Sequence, residues 1–394
     1  MRLSFTRRTL LRLLAGTGLV PGAALAQDAE KAPPESGPMV AEDGKVLVRR
    51  AALTRDGPGG RLLARVRLPE RNAPVLGEEA TGTAARRLRQ LVHEGRAAGN
   101  HGDLYENRDR GHSRLSAAAH PQLTHVRYDG ASYKAGLHYG LADQVIFDAP
   151  VIGNSSTAMT KGPFWRSLPR LALTRPNGPG RLYQNYLAGQ IHVYPEHRDH
   201  DPSRGDLIPA ATPFFVVSEG SSGSDRPHLG ALAMILAAFT PETKAYLREA
   251  QLLAPTVQMV FRRGLDLVRG REGYRSGVAH LSAVRDKQIN LARMVELANA
   301  LTPDTVPPMV RLAVLSETRS TQGVDYFGAG LDERLFDTPA AIARIWRSHV
   351  ARRSMVVSVE ATRDLQGRSP DFAWRVLRGD PARTQVEPLD ASGL

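Results

Sequence analysis

Two turns and two polar runs hold the side chains whose types and spacing suit chemistry. Gly153-Asn154-Ser155-Ser156-Thr157 follows the apolar stretch Pro150-Val151-Ile152, and Gly220-Ser221-Ser222-Gly223-Ser224-Asp225 follows Phe215-Val216-Val217-Ser218-Glu219. Glycine lets the backbone turn sharply, and small hydroxyl residues leave amides and a helix N-terminus facing outward. Such turns suit an anion or a polyol. Asn154, Gly220, Ser221, Gly223 and Ser224 are the ligand-binding candidates, and Ser155 and Ser222 the candidate nucleophiles. The alternative is that these serines cap helices and satisfy turns, with Asp225 a cap.

Gly153-x-Ser155 and Gly220-x-Ser222 begin like a nucleophile elbow, but neither completes Gly-x-Ser-x-Gly, and neither is a phosphate-binding Walker loop. The densest polar run, His101 to Arg114, reads as a loop. In it Asn107 is a ligand-binding candidate, and Asp109 with His112 forms a candidate orienting pair for general base catalysis, or with Asp103 a metal shell. The competing reading is a solvated surface loop. From His192 to Asp206, His197, Asp199, His200 and Asp201 are candidate ligands of a divalent cation, although their spacing fits no zinc motif or EF-hand. Trp165, Tyr105 and Tyr183 are suited to stacking on sugar rings or to a core. His228, His280 and His349 lie in or beside apolar segments and read as structural.

The elements that must position these groups alternate. Strands are predicted at 46–48 and 62–68, joined as a hairpin through Asp56-Gly57-Pro58-Gly59-Gly60, then at 123–128, toward Ile152, at 190–194, 212–218 and 309–314. Helices are predicted over 83–98, 164–173, 227–239, 241–253, about 255–269, 286–301 and 339–349. Thr212–Ser218 is the most continuous apolar run, which suits a central strand buried on both faces. The pattern predicts an α/β fold: a largely parallel sheet flanked by helices, with both Ser/Gly turns at its carboxyl edge.

The 394 residues include no cysteine, which excludes a disulfide framework, a thiol nucleophile and Cys-ligated metal sites. A mean hydropathy of −0.30 excludes a polytopic membrane protein. Lys and Arg number 52 against 40 Asp and Glu, a net charge of +12. That excess favours anionic envelope polymers; no nucleic-acid motif accompanies it, so nucleic acid is not expected as a partner. Thr6-Arg7-Arg8-Thr9-Leu10-Leu11-Arg12, an apolar run from Leu13 to Leu25, and Ala24-Leu25-Ala26 before Gln27 resemble a twin-arginine export signal. The resemblance implies cleavage after residue 26, a periplasmic or exported protein translocated already folded, and no transmembrane segment in the mature chain. Residues 27–44, with Pro33-Pro34 and Gly37-Pro38, read as a flexible leader, and 45–350 as the α/β body.

The tail, 351–394, changes character. A strand at Met355–Ala361, the turn Thr362-Arg363-Asp364-Leu365-Gln366-Gly367, Phe372-Ala373-Trp374 and Gly379-Asp380 resemble the start of a PKD-type immunoglobulin-like domain. The match covers about half of such a sandwich, and implies a small all-β appendage. Around Asn107–His112, Gly153–Thr157 and Gly220–Asp225 the body is similar to uncharacterised exported bacterial proteins, a resemblance that implies no activity. The sequence thus points to an envelope hydrolase acting on a glycan or ester, or to a non-catalytic glycan-binding or scaffold protein.

Overall fold

The computed structural model describes residues 37–57, 60–109, 111–139, 145–155, 178–195, 214–220, 223–328, 334–344, 350–377 and 379–389. Its centre is a six-stranded sheet built from β1 (Lys45–Val48), β2 (Leu104–Arg108), β3 (Thr124–Tyr128), β4 (Val151–Ser155), β5 (Gln190–Pro195) and β6 (Phe215–Ser218). The spatial order is β6-β5-β4-β2-β3-β1, and every neighbouring pair is parallel. From β2 the chain moves outward to β3, then crosses back to β4 on the other side of β2 and continues outward through β5 and β6. Connections therefore leave the carboxyl ends of β2 and β4 in opposite directions. That is the topological switch point at which open α/β sheets form a crevice.

One face of the sheet lies under α1 (Thr83–His93), α3 (Asp225–Ala238), α5 (Leu253–Arg263) and α6 (Leu291–Asn299). Helix α3 is apolar nearly all round, with Leu229, Leu232, Ile235 and Leu236 buried, as expected of a helix enclosed on every side. It lies across β4 and β5. Helix α2 (Gly178–Leu187) precedes β5, and α4 (Pro241–Glu249) starts where the Thr240 hydroxyl accepts from the Thr243 amide at 3.1 Å, with proline at the first turn. On the opposite face Val46, Val48, Leu104, Val126 and Val151 form a second core with Ala64, Val145 and Phe147. The last three belong to a small sheet of Thr54–Arg55, Leu62–Ala64 and Val145–Phe147.

The α/β layer with a largely parallel sheet is what the alternation of strands and helices predicts. Small antiparallel sheets lie toward the C-terminus: Ala313–Glu317 with Met355–Ser358, and Arg334–Thr338 with Ala341–Arg344. Three expectations need correction. The Asp56–Gly60 turn does close a hairpin, but between Thr54–Arg55 and Leu62–Leu63; residues 45–48 instead pair with β3, where Val46 and Val48 are fully buried. Residues 341–344, expected in a helix, form a strand, and 345–349 lie outside the described residues. The apolar β6 is an edge strand whose four residues are all buried, and Val284 donates to the Val217 carbonyl at 2.8 Å along its outer side. Residues 372–377 run without strand pairing. Ser36–Leu394 constitute one compact unit. No helix among the described residues is long and apolar enough to cross a membrane. The leader segment up to residue 36, with the export signal, and the predicted helix at 164–173 lie outside the described residues.

Candidate functional site

Strand β2 has the sequence Leu104-Tyr105-Glu106-Asn107-Arg108, and the pleat sends successive side chains to opposite faces. Tyr105 and Asn107 point to the face that α3 covers. There they meet Ile152 and Asn154, their register partners on β4. The Tyr105 hydroxyl donates to Asn154 Oδ1 at 3.2 Å and accepts from the Leu115 amide at 2.9 Å. Asn107 Oδ1 accepts from the amides of Asp109 (3.1 Å) and Gly111 (2.8 Å). The Asn107 and Asn154 amide groups both donate to the His112 carbonyl at 3.0 Å. The loop after β2 is thereby fastened to the end of β4. Asn107 and Asn154, expected to hold ligand, spend these hydrogen bonds on the loop itself.

Asp109 and His112 lie near one another, with His112 Nδ1 3.9 Å from Asp109 Oδ2. That is beyond hydrogen-bond length. The His112 side chain is 72% exposed, whereas Asp109 is nearly buried. Asp103 does not join them. It sits at the amino end of β2, paired with Lys244 Nζ at 2.6 Å and accepting from Asn100 Nδ2 at 2.9 Å. Tyr105 and Tyr183 are buried and belong to the core, so neither offers a ring to a sugar; Trp165 lies outside the described residues.

In the second turn Gly220 and Gly223 adopt positive φ (80° and 83°), the conformation that makes glycine necessary there. Ser224 precedes α3 and its side chain caps no helix amide; its Oγ lies 3.1 Å from Ser218 Oγ. Ser218 Oγ in turn donates to Asp225 Oδ1 at 2.6 Å. His228, one turn into α3, has its two ring nitrogens 2.9 Å from the Ser224 and Val284 carbonyls and, when neutral, donates to one of them, which is a structural role. Ser221, Ser222 and the cation candidates His197, Asp199, His200 and Asp201 lie outside the described residues, as does the side chain of Ser155, the last residue of β4. Among the described residues no group of three or more His, Asp or Glu side chains could hold a metal.

The other face of the same strand holds a cluster that sequence reasoning missed. Glu106 and Arg108 point there, both buried, with Arg108 0% exposed. The Tyr128 hydroxyl, on β3, donates to Glu106 Oε1, and His192 Nε2, on β5, lies 3.3 Å from Glu106 Oε2. Between them Glu106, Gly153 and His192 stand in one row across the sheet. Gly153 is what lets His192 reach the carboxylate: a Cβ there would meet the Glu106 carbonyl oxygen and lie 2.9 Å from His192 Cδ2. Burial alone would raise the Glu106 pKa, but the Arg108 charge and the His192 hydrogen bond hold it at about 2. Burial, with the Arg108 charge, pushes His192 below its ordinary value, and burial beside Glu106 raises Tyr128 well above its own. The cluster therefore holds one anion, one cation and two neutral groups. The readable signal was Glu-x-Arg alternating with Tyr-x-Asn inside a five-residue strand; reading the run as a loop hid it.

Two cavities lie elsewhere. One of about 500 Å³ opens at the amino edge of the sheet, lined by Asp148, Pro150, Gly189, Arg248 and Gln251 among others. Another, of about 460 Å³, lies in the tail beside Trp374. The chain matches no protein-family model, no curated protein and no solved structure.

Proposed function

We propose that the protein is an exported envelope protein that binds a small molecule or glycan at the carboxyl edge of its sheet and hydrolyses a glycan or ester linkage there. One observation carries the choice of site. The paired hydrogen bonds from Asn107 and Asn154 to the His112 carbonyl fasten the loop after β2 to the end of β4 at the switch point. On this reading His112, exposed at the lip and beside Asp109, is the general base. Ser155 and Ser222 are the candidate nucleophiles, and the run containing His197, Asp199, His200 and Asp201 is where a divalent cation would act. The Arg7-Arg8 signal and the arginine excess support export and attraction to anionic envelope polymers. The test is a screen of purified protein against ester and glycan substrates, with and without chelator. Turnover by the native protein that falls in a folded His112→Ala variant supports the reading; no turnover on any substrate overturns it.

A specific observation favours the second reading, a non-catalytic glycan-binding or scaffold protein. Trp374 is partly exposed and lines the 460 Å³ cavity with Val356, Val386, Arg353, Gln385 and Glu387. An indole face rimmed by polar side chains suits a sugar ring. Glycan binding that survives His112→Ala but is lost in Trp374→Ala would favour it.

A further inference from the structure

Arg108 and Glu106 are unequally served. Glu106 accepts from Tyr128 on one oxygen and faces His192 Nε2 at 3.3 Å on the other. Arg108 Nη2 lies 2.9 Å from Glu106 Oε2 in a buried ion pair, while its Nε and Nη1 have no hydrogen-bond partner. Arg108 is also the largest fully buried side chain among the described residues. Buried polar groups are almost always hydrogen-bonded, and a charged donor left unmet is the costliest exception. Both oxygens of the acid are met, while two of the three nitrogens of the base are not.

The shape and charge of what would meet those donors follow from the cluster. A guanidinium presents a planar fork that matches the two oxygens of a carboxylate. Arg108 and Glu106 cancel, and His192 and Tyr128 are neutral, so an enclosed dianion would leave two uncompensated charges and a carboxylate only one. Arg108 ends β2 opposite Ser155, at the carboxyl edge of the switch point. We propose that Arg108 binds the carboxylate of a small-molecule ligand, with Glu106, Tyr128 and His192 as positioning residues that fix its guanidinium. This goes beyond the hydrolytic reading, because the cluster occupies the sheet face opposite the Asn107–Asn154 network and does not depend on turnover by Asp109 and His112.

The experiment titrates formate, acetate and phosphate against chloride at constant ionic strength and follows the thermal midpoint of the purified protein. Formate or acetate should raise the midpoint saturably above chloride, and more than phosphate does. The charge-neutral Glu106→Gln/Arg108→Met variant, verified as folded by circular dichroism, should lose that rise, and His112→Ala should keep it. Should the double variant not fold, Arg108→Lys keeps the charge without the fork and should weaken the formate response at least tenfold. Equal midpoints in formate, acetate and chloride would overturn the proposal. So would a rise that persists in the double variant or an unchanged formate affinity in Arg108→Lys. A larger saturable rise with phosphate would overturn the carboxylate assignment. A carboxylate response without turnover would sink only the hydrolytic reading, and turnover without the response only this one.

Discussion

The two faces of β2 at its carboxyl end use polar groups in opposite ways. On the α3 side, Tyr105, Asn107 and Asn154 are neutral and spend their hydrogen bonds on one another and on the backbone of residues 109–115. On the other side Glu106 and Arg108 are charged and paired, and the guanidinium Nε and Nη1 find no partner. The first arrangement shapes a loop; its groups have little left to offer a ligand. The second keeps hydrogen-bonding capacity in reserve behind a wall of burial. A polar cluster on the sheet is therefore informative about binding only after its donors and acceptors have been matched.

The strongest way to break this contrast is to remove one charge of the buried pair. Arg108→Met leaves Glu106 buried beside a methionine, and losing one member of a buried pair costs about 3–5 kcal/mol. Removing both charges, in Glu106→Gln/Arg108→Met, should restore most of that loss, since buried pairs are often replaced by apolar groups at little net cost. Chemical denaturation of the two variants beside the native protein gives both numbers. A single variant as stable as the native protein would show that Arg108 is not enclosed.

The faces should also separate on the pH axis. His125 packs edge-on against Tyr105, with ring centroids 5.0 Å apart, and burial lowers its pKa to about 4 from 6.5; burial does the same to His120. The unfolded chain takes up these protons first, so stability falls as pH drops from about 6.5 to about 4. For Glu106, held at about 2 against 4.5, stability present above 4.5 is lost as pH falls from there to about 2. Each group's shift is worth on the order of 3 kcal/mol by the usual conversion, so the two histidines make the upper decline about twice the lower. Unfolding measured from pH 8 to 2 should show two declines. His125→Gln should shrink the upper one by about half and Glu106→Gln should flatten the lower; a Glu106→Gln protein with an unaltered acid limb would contradict the ionised cluster.

A smaller effect tests the link across the strands. Gly153→Ala puts a methyl against the Glu106 carbonyl oxygen, which is backbone and cannot swing aside, and 2.9 Å from the His192 ring. Overpacking of this kind costs about 1–3 kcal/mol. The His192 imidazole resonances should shift as the ring leaves Glu106, while the Asn154–His112 bond on the opposite face persists. Stability and imidazole shifts unchanged from the native protein would mean that the row Glu106–Gly153–His192 is looser than the geometry states.

What was legible in the sequence follows from this geometry. The periodicities of two and 3.6 residues, with proline and threonine at the start of α4, were enough for the α/β layer. The polar loop holding Asn107, Asp109 and His112 was singled out by its composition, which is local. Glu106 and Arg108 were not legible, because charged residues in a polar run read as exposed, and their partners Tyr128 and His192 stand 22 and 86 residues from Glu106. The edge position of β6 was hidden for a related reason: all four of its residues are buried and Val284 shields its side, so its composition is that of a central strand. Residues 341–344 are four residues long, too short for their pairing with 334–338 to outweigh a helical reading.

The smallest expected change concerns His112, and it separates the side chain from the backbone at one residue. The bonds from Asn107 and Asn154 end on the His112 carbonyl, which any residue supplies, while the imidazole is mostly exposed and 3.9 Å from Asp109. His112→Ala should therefore change stability by less than about 0.5 kcal/mol, as exposed substitutions usually do. Asn154→Ala is the matched control. It removes a buried donor and leaves the Tyr105 hydroxyl without its acceptor, at about 1–3 kcal/mol, and should speed amide exchange over residues 111–115. If His112 is the general base, turnover in its variant falls by about 10²–10⁴ with the loop's exchange unchanged. A His112→Ala protein that exchanges like Asn154→Ala would mean that the imidazole helps to hold the loop, and the division between a structural carbonyl and a chemical side chain would fail.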